Sequence, residues 1–187
     1  GDRPAINGVV LREPGLHVLA IETNPSYIVF EDMADFEDYL TYEGLLNIAE
    51  EHRTRGLPED EIAEAYIRNA RSLVQVGPVE AAQTDRPSGM PFEIVVIGTP
   101  FAAGREALAV KLIWQGNAVP NAQISIFYVP NGSTAPDGTI RTVLRTDDRG
   151  YAKFAFPGAG IYLLNAVRMD PVQGPGSVVW ESHWASL

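Results

Sequence analysis

The sequence predicts a mainly β protein with an α-helical insertion, in which an acidic N-terminal α/β segment precedes a C-terminal antiparallel β-sandwich. Three observations carry that expectation. Apolar residues recur at helical spacing only between residues 33 and 66. From residue 92 onward seven short runs alternate apolar and polar at a period of two. Between these regions, GPVEAAQTDRPSGMP (77–91) is rich in Pro, Gly and polar residues and has no period. It places a boundary that leaves 1–85 as strand hairpin plus helices and 86–187 as a seven-stranded β-sandwich.

In order, GLHVLAIET (15–23) has the β-branched and apolar content of a strand, Asn24-Pro25 signals a turn, and SYIVF (26–30) reads as the returning strand. Met33, Phe36 and Leu40 then mark one helix. Leu45, Ile48, Ala49 and His52 draw a stripe on a second, which Gly56 stops. Pro58 followed by Glu59, Asp60 and Glu61 has the chemistry of a helix N-terminus, so a third helix carrying Ile62 and Tyr66 is expected, turning extended by SLVQV. FEIVVIG, EALAVKLIWQG, AQISIFYV, TIRTVLR, YAKFAF, GIYLLNAVR and SVVWESHWASL are the seven later strands. Leu108, Val110, Leu112 and Trp114 share one face, as do Ile124, Ile126 and Tyr128. The turns at 130–132 and 136–138 frame a long loop.

Composition excludes several function classes. The chain of 187 residues has no cysteine, hence no disulfide, thiolate metal site or cysteine nucleophile, and its compartment stays open on that ground. No apolar run is long enough to span a membrane, and the expectation is that any signal peptide has been removed. The net charge of −10 is uneven: residues 1–85 hold 6 basic and 17 acidic residues, and residues 86–187 hold 8 and 7. An acidic chain without a basic patch is a poor partner for nucleic acid. The acidic window Glu31–Glu64 reads as a solvated helical surface, with a surface for cations or a basic partner as the alternative.

TDDRGYAKFAFPGAGIYLLNA (146–166) poses a choice between a cation loop and a strand corner. Counted from Asp147, an EF-hand loop would need an oxygen ligand at Arg149 and a glutamate at Gly158, so that reading fails. Aspartate capping local amides, with Gly150 supplying a positive φ, makes a corner instead. Ala152, Phe154 and Phe156 should point one way, as should Tyr162, Leu164 and Ala166 on the next strand.

This T-D-x-x-G-x-x-x-F-x-x-P-x-x-G-x-Y-x-L pattern resembles that of exported prealbumin-like sandwiches, including carboxypeptidase regulatory domains, and implies a prealbumin-like or immunoglobulin-like fold without an activity. A narrower resemblance spans nearly the whole chain: residues 15–45, YIRNARSLVQVG (66–77), ALAVKLIWQGNAVPNAQISIFY (107–128), the hairpin above and the terminal WESHWASL (180–187). Together these segments are similar to a bacterial exported domain-of-unknown-function family whose members are often described as periplasmic components of nickel or cobalt uptake. The resemblance implies a periplasmic or otherwise exported location, a role beside an envelope transporter or membrane-protein partner, and nickel or cobalt as the ion concerned. Members usually carry an upstream β-rich segment with a histidine near the mature N-terminus, which has no counterpart here. The strands at 15–23 and 26–30 then belong either to a first β-rich domain with strands missing, or pair with the second sheet or another copy.

The candidate metal ligands are His183, Glu181, His17 and His52. Imidazole suits nickel. On a strand, Glu181 and His183 share a face, against Val178, Trp180, Ser182 and Trp184 on the other, and would offer two ligands; the competing expectation is a solvated strand face. His17 lies with Leu19 and Ile21, and His52 completes an apolar helical stripe, so both favour a packed structural histidine. Tyr39, Tyr42, Tyr66, Trp180 and Trp184 are either core or the lining of a ligand groove. There is no G-x-S-x-G elbow, H-E-x-x-H or G-x-G-x-x-G, and Gly98 to Gly104 is spaced one residue too long for a phosphate loop. The expectation is therefore no enzyme and no catalytic residue, but an accessory or solute-binding protein of nickel or cobalt uptake. The alternative is an envelope sandwich module that binds a glycan or a protein through its end loops.

Overall fold

A computed structural model describes residues 8–134, 136–174 and 176–187. The protein is mainly β, with 49% strand and 10% helix in two sheets and two short helices. In chain order the elements are β1 (Gly15–Glu22), β2 (Ser26–Asp32), α1 (Met33–Glu43), α2 (Ile48–Thr54), β3 (Asp60–Val76), β4 (Phe92–Val96), β5 (Ala107–Trp114), β6 (Asn117–Ala118), β7 (Gln123–Pro130), β8 (Ile140–Arg145), β9 (Tyr151–Ala155), β10 (Gly160–Pro171) and β11 (Val178–Ser186).

The larger sheet runs β1-β3-β11-β10-β7-β8, with β2 also on β3; the smaller holds β4, β5, β6 and β9. All pairings are antiparallel except β3 with β11. The strands of 1–85 thus lie in one sheet with β7, β8, β10 and β11. Each of the seven runs expected after residue 91 is a strand, joined by the two-residue β6.

The expected third helix is a strand. The 17 residues of β3 present β2 with their first half, pairing Tyr27 with Ala65, and β1 with their second, pairing Val18 with Leu73. Its other edge takes β11, pairing Ser182 with Tyr66. Two flanking ladders along one stretch satisfy more backbone than a helix on the acidic 59–61 run could repay, so tertiary pairing overrides the local signal.

Side-chain alternation builds two cores, one on each face of the larger sheet. Between the sheets lie Phe92, Ile94, Leu108, Leu112, Ile124, Phe154, Leu164 and Ala185, where the alternation of β5, β7, β9 and β10 put their inward faces. On the opposite face α1 and α2 cover one end with Met33, Phe36, Leu40 and Ile48 against Phe30, Ile62, Met169 and Trp180. Asp32 caps α1 by accepting from the amides of Ala34 and Asp35, and Gly44 ends it at a φ of 76°. Arg55 closes α2 onto the sheet, donating to the carbonyls of Val179 and Val172 with its guanidinium 4.7 Å from the Trp180 ring.

The aperiodic 77–91 segment is tied down by charge. Arg71 and Asp85 form a fully buried bidentate pair at 2.6 and 3.1 Å, and Arg71 also donates to the carbonyls of Ile94 and Arg86. Glu93 accepts from the amides of Ser88 and Gly89. At the 146–151 corner, Asp147 accepts from the amides of Arg149 and Tyr151, and these bonds hold its carboxyl below the usual range. Gly150 has a φ of 78° there. It is a strand corner.

Candidate functional site: an aromatic cleft over the β3–β11 seam

The alternation of β3 directs Ile62, Glu64, Tyr66 and Arg68 toward the helix side, and β11 sends Trp180, Ser182 and Trp184 the same way. Helix α1 covers only part of this face. Phe36 packs tilted against Phe30 with ring centroids 5.0 Å apart, and Tyr39, one turn on, comes down onto the sheet beside it. Where the helix stops covering, a cleft of ≈ 230 Å³ remains, lined by Ile28, Phe30, Tyr39, Tyr66, Arg68 and Trp184, with Glu64 at its base. Tyr39 lies 5.0 Å from Phe30 and stacks on Trp184 at 6.2 Å.

A directed hydrogen-bond chain runs beneath these rings. The Trp184 indole N–H donates to the Ser182 hydroxyl at 3.0 Å, and Ser182 donates to Glu64 Oε1. The Tyr39 hydroxyl donates to the same oxygen at 3.2 Å. Both donors therefore converge on Oε1, while Oε2 is buried without a partner among the described residues. Glu64 is 1% exposed. Burial pushes its carboxyl up to about 7, the hydrogen bonds from Ser182 and Tyr39 pull against that, and the nearby Glu43 adds to the rise. Burial, then the Glu64 charge, lifts the Tyr39 phenol far above its ordinary range.

Further along, Glu43 accepts from Asn165 at 3.4 Å; burial raises its carboxyl and the Arg141 charge opposes that rise. Arg141 donates to the Tyr42 carbonyl and to Ser125 Oγ, with its guanidinium 3.7 Å from the Tyr42 ring. At the cleft mouth the exposed Arg68 guanidinium lies 5.3 Å from the Tyr66 ring and 5.0 Å from Trp184. No hydrogen bond or ion pair holds that guanidinium among the described residues. The arrangement can stack a small planar or alkyl group and present it with one buried carboxyl.

The four residues expected as metal ligands are placed apart from this cleft. His52 is fully buried and both ring nitrogens are engaged: Nε2 donates to the Pro58 carbonyl at 2.9 Å and Nδ1 accepts from the Trp180 indole at 3.0 Å. No lone pair remains for a metal. His17, on β1, bonds the Glu13 carbonyl at 2.7 Å.

The solvated face expected for Glu181 and His183 is corrected for the histidine. β11 is an interior strand with packing on both sides, so His183 is 8% exposed and sits edge-on to Trp114 at 4.7 Å. Its Nε2 meets Glu181 Oε1 at 3.3 Å, and its Nδ1 is buried without a partner among the described residues. Across the ladder, His183 pairs with Arg168, whose guanidinium lies 4.9 Å from the Trp114 ring and is bound to Asp170. Among the described residues, no three His, Cys, Asp or Glu side chains gather to hold a metal ion.

Of the aromatics expected as either core or groove, Tyr39, Tyr66 and Trp184 line the cleft and Trp180 is core. Glu64 was not singled out by its sequence. Its one signal is an acid inside the otherwise apolar IAEAY, hidden by the acidic run before it.

The profile of the family described as Domain of unknown function (DUF4198) matches residues 4–170. The chain belongs to this family. No curated protein and no solved structure matches the chain. Family membership establishes no activity, so function has to be argued from the cleft.

Proposed function

We propose that this member of the family is an exported, non-enzymatic solute-binding protein, and that its solute occupies the cleft between α1 and the β3–β11 seam. The observation that carries this reading is a concave, aromatic-walled site with a few convergent polar groups, the usual composition of small-ligand sites. The non-enzymatic part is supported by the two hydroxyls beside the carboxyl: Ser182 is fully buried, and both Ser182 and Tyr39 commit their protons to Glu64. Handing the solute to an envelope transporter or membrane-protein partner completes the proposal. The link to nickel or cobalt uptake rests on family resemblance alone, because His52 is saturated and His17 and His183 lie on opposite faces of the larger sheet.

Calorimetric titration of charged and neutral small solutes, with Trp184→Ala beside the parent protein, tests the cleft. Binding that vanishes with Trp184→Ala supports the reading, and an absence of any Trp184-dependent binding overturns it. Nickel and cobalt titrations of chelator-stripped protein, repeated with His183→Ala, test the metal arm. Saturable binding lost in that variant would replace the organic solute by a metal ion.

A second reading has its own observation. On the same face of the larger sheet, beyond the helices, Ile21, Val143, Ile161 and Leu163 are exposed, Ile161 by 73%. Apolar side chains in such a row fit a protein-binding sandwich module.

A further inference from the structure

We infer that the cleft is a receptor for a small primary or secondary alkylammonium ion, and that Arg68 covers the ring faces at its mouth when the cleft is empty. This deepens the solute-binding reading and rests on it.

The hydrogen-bond chain over the cleft floor is unbalanced. Trp184, Ser182 and Tyr39 all donate in the direction of Glu64, and both final bonds end on Oε1. An array of donors aimed at a carboxyl is built to stabilise its anion. The second oxygen is buried and unmatched among the described residues. An unmatched buried carboxyl oxygen is costly, and a bound N–H donor would remove that cost. Neutral donors could fill the position, but only a cation also compensates the buried charge.

The walls make the same selection independently. Phe30, Tyr39, Tyr66 and Trp184 surround the cleft with rings, whose faces attract cations. Two of these rings already hold one, since Arg68 lies over Tyr66 and Trp184. Arg68 is exposed and, among the described residues, anchored by these contacts alone, whereas Arg71, Arg141 and Arg168 each have hydrogen-bonded partners. A side chain held this way can leave the rings for water at little cost, and an ammonium ion can take its place.

A buried N–H···carboxylate contact with ring faces on the same cation gives roughly tenfold or greater preference for the charged ligand over a neutral one of equal size. The test uses three probes of matched length: n-butylammonium, n-butanol and n-butyrate, titrated by calorimetry at pH 8 and constant ionic strength. The expected result is butylammonium binding at least about tenfold more tightly than butanol, with butyrate not binding. Glu64→Gln, which keeps the acceptor for Ser182 and Tyr39, should abolish that preference; melting of each variant verifies its fold. Arg68→Ala should tighten butylammonium several-fold, because the internal competitor is gone. Butyrate binding lost in Arg68→Ala would overturn the inference, showing an anion site, and leave the solute-binding reading standing. Equal Trp184-dependent binding of butanol and butylammonium would do the same. If none of the three probes binds in a Trp184-dependent way, the inference fails; if the wider solute panel is also silent, the cleft reading fails with it.

Discussion

Burying Glu64 should make the protein less stable as pH rises through neutrality. The unfolded chain ionises this carboxyl near its ordinary 4.5, whereas the native protein ionises it near about 7. Between those pH values the native state holds the extra proton. Stability from this group is therefore fully present below about 4.5, falls as pH rises toward about 7, and is level above that. The displacement corresponds to about 3 kcal/mol. Glu64→Gln isolates it. The glutamine keeps an acceptor for Tyr39 and Ser182 but brings an NH₂ with no acceptor, a cost of about 1–3 kcal/mol that is the same at every pH. The informative quantity is thus the change in ΔΔG between pH 5 and pH 8, which should favour the variant at pH 8 by about 2–3 kcal/mol. Urea unfolding at both pH values, with m-values checked for equality, measures it. Glu43 is also raised, so Glu43→Gln, alone and with Glu64→Gln, separates the two carboxyls. A ΔΔG that is the same at both pH values would refute the reasoning, since it would mean that Glu64 is as well solvated folded as unfolded.

Other perturbations have equally definite outcomes. Asp85→Ala removes the bidentate partner of the Arg71 guanidinium and leaves it Glu93, 3.4 Å from Nε, as its remaining carboxylate, and should destabilise by about 3 kcal/mol in urea melts; adding Arg71→Met should recover part of that. His52→Phe leaves the buried Trp180 indole N–H without an acceptor, at a cost of about 1–3 kcal/mol, read as a lower urea midpoint. Gly44→Ala forces a side chain into a left-handed φ of 76° with its Cβ 2.5 Å from the Gln123 side chain. The conformational part alone should cost about 1–2 kcal/mol in the same assay.

The later strands were legible because each has one face toward the inter-sheet core, so period-two alternation survives in YAKFAF and EALAVKLIWQG. The helical stripes at Met33, Phe36, Leu40 and at Ile48, His52 were legible for the parallel reason. The 60–76 stretch was not. Ile62 through Ala65 are buried consecutively, because helices cover one side and strands pack on the other, so alternation disappears just where Pro58 and three acids imitate a helix start. The solvated face expected for His183 failed by the same route: β11 is covered on both faces, and Val178, Trp180, Ser182 and Trp184 drew attention to one of them. The cleft was half legible. Tyr39, Tyr66 and Trp184 were candidates for a groove, yet what brings them together is the β3–β11 register, and parallel pairing across more than a hundred residues leaves no local trace. Glu64 owes its character to burial, which no residue type announces.

The parallel seam between β3 and β11 also sets when the molecule can finish folding. Residues 60–76 leave the ribosome long before 178–186, and β11 is the bridge between β3 and β10. Until β11 arrives, β1, β2 and β3 form a ribbon with one long open edge, while β7, β8 and β10 assemble as a separate piece. Trp180, which completes the core under the helices, arrives with β11 as well. Closure of so distant a contact is slow, and an open strand edge is the kind of surface that captures another chain. Nascent or denatured protein should therefore pass through an aggregation-sensitive interval that ends on the docking of a single C-terminal strand.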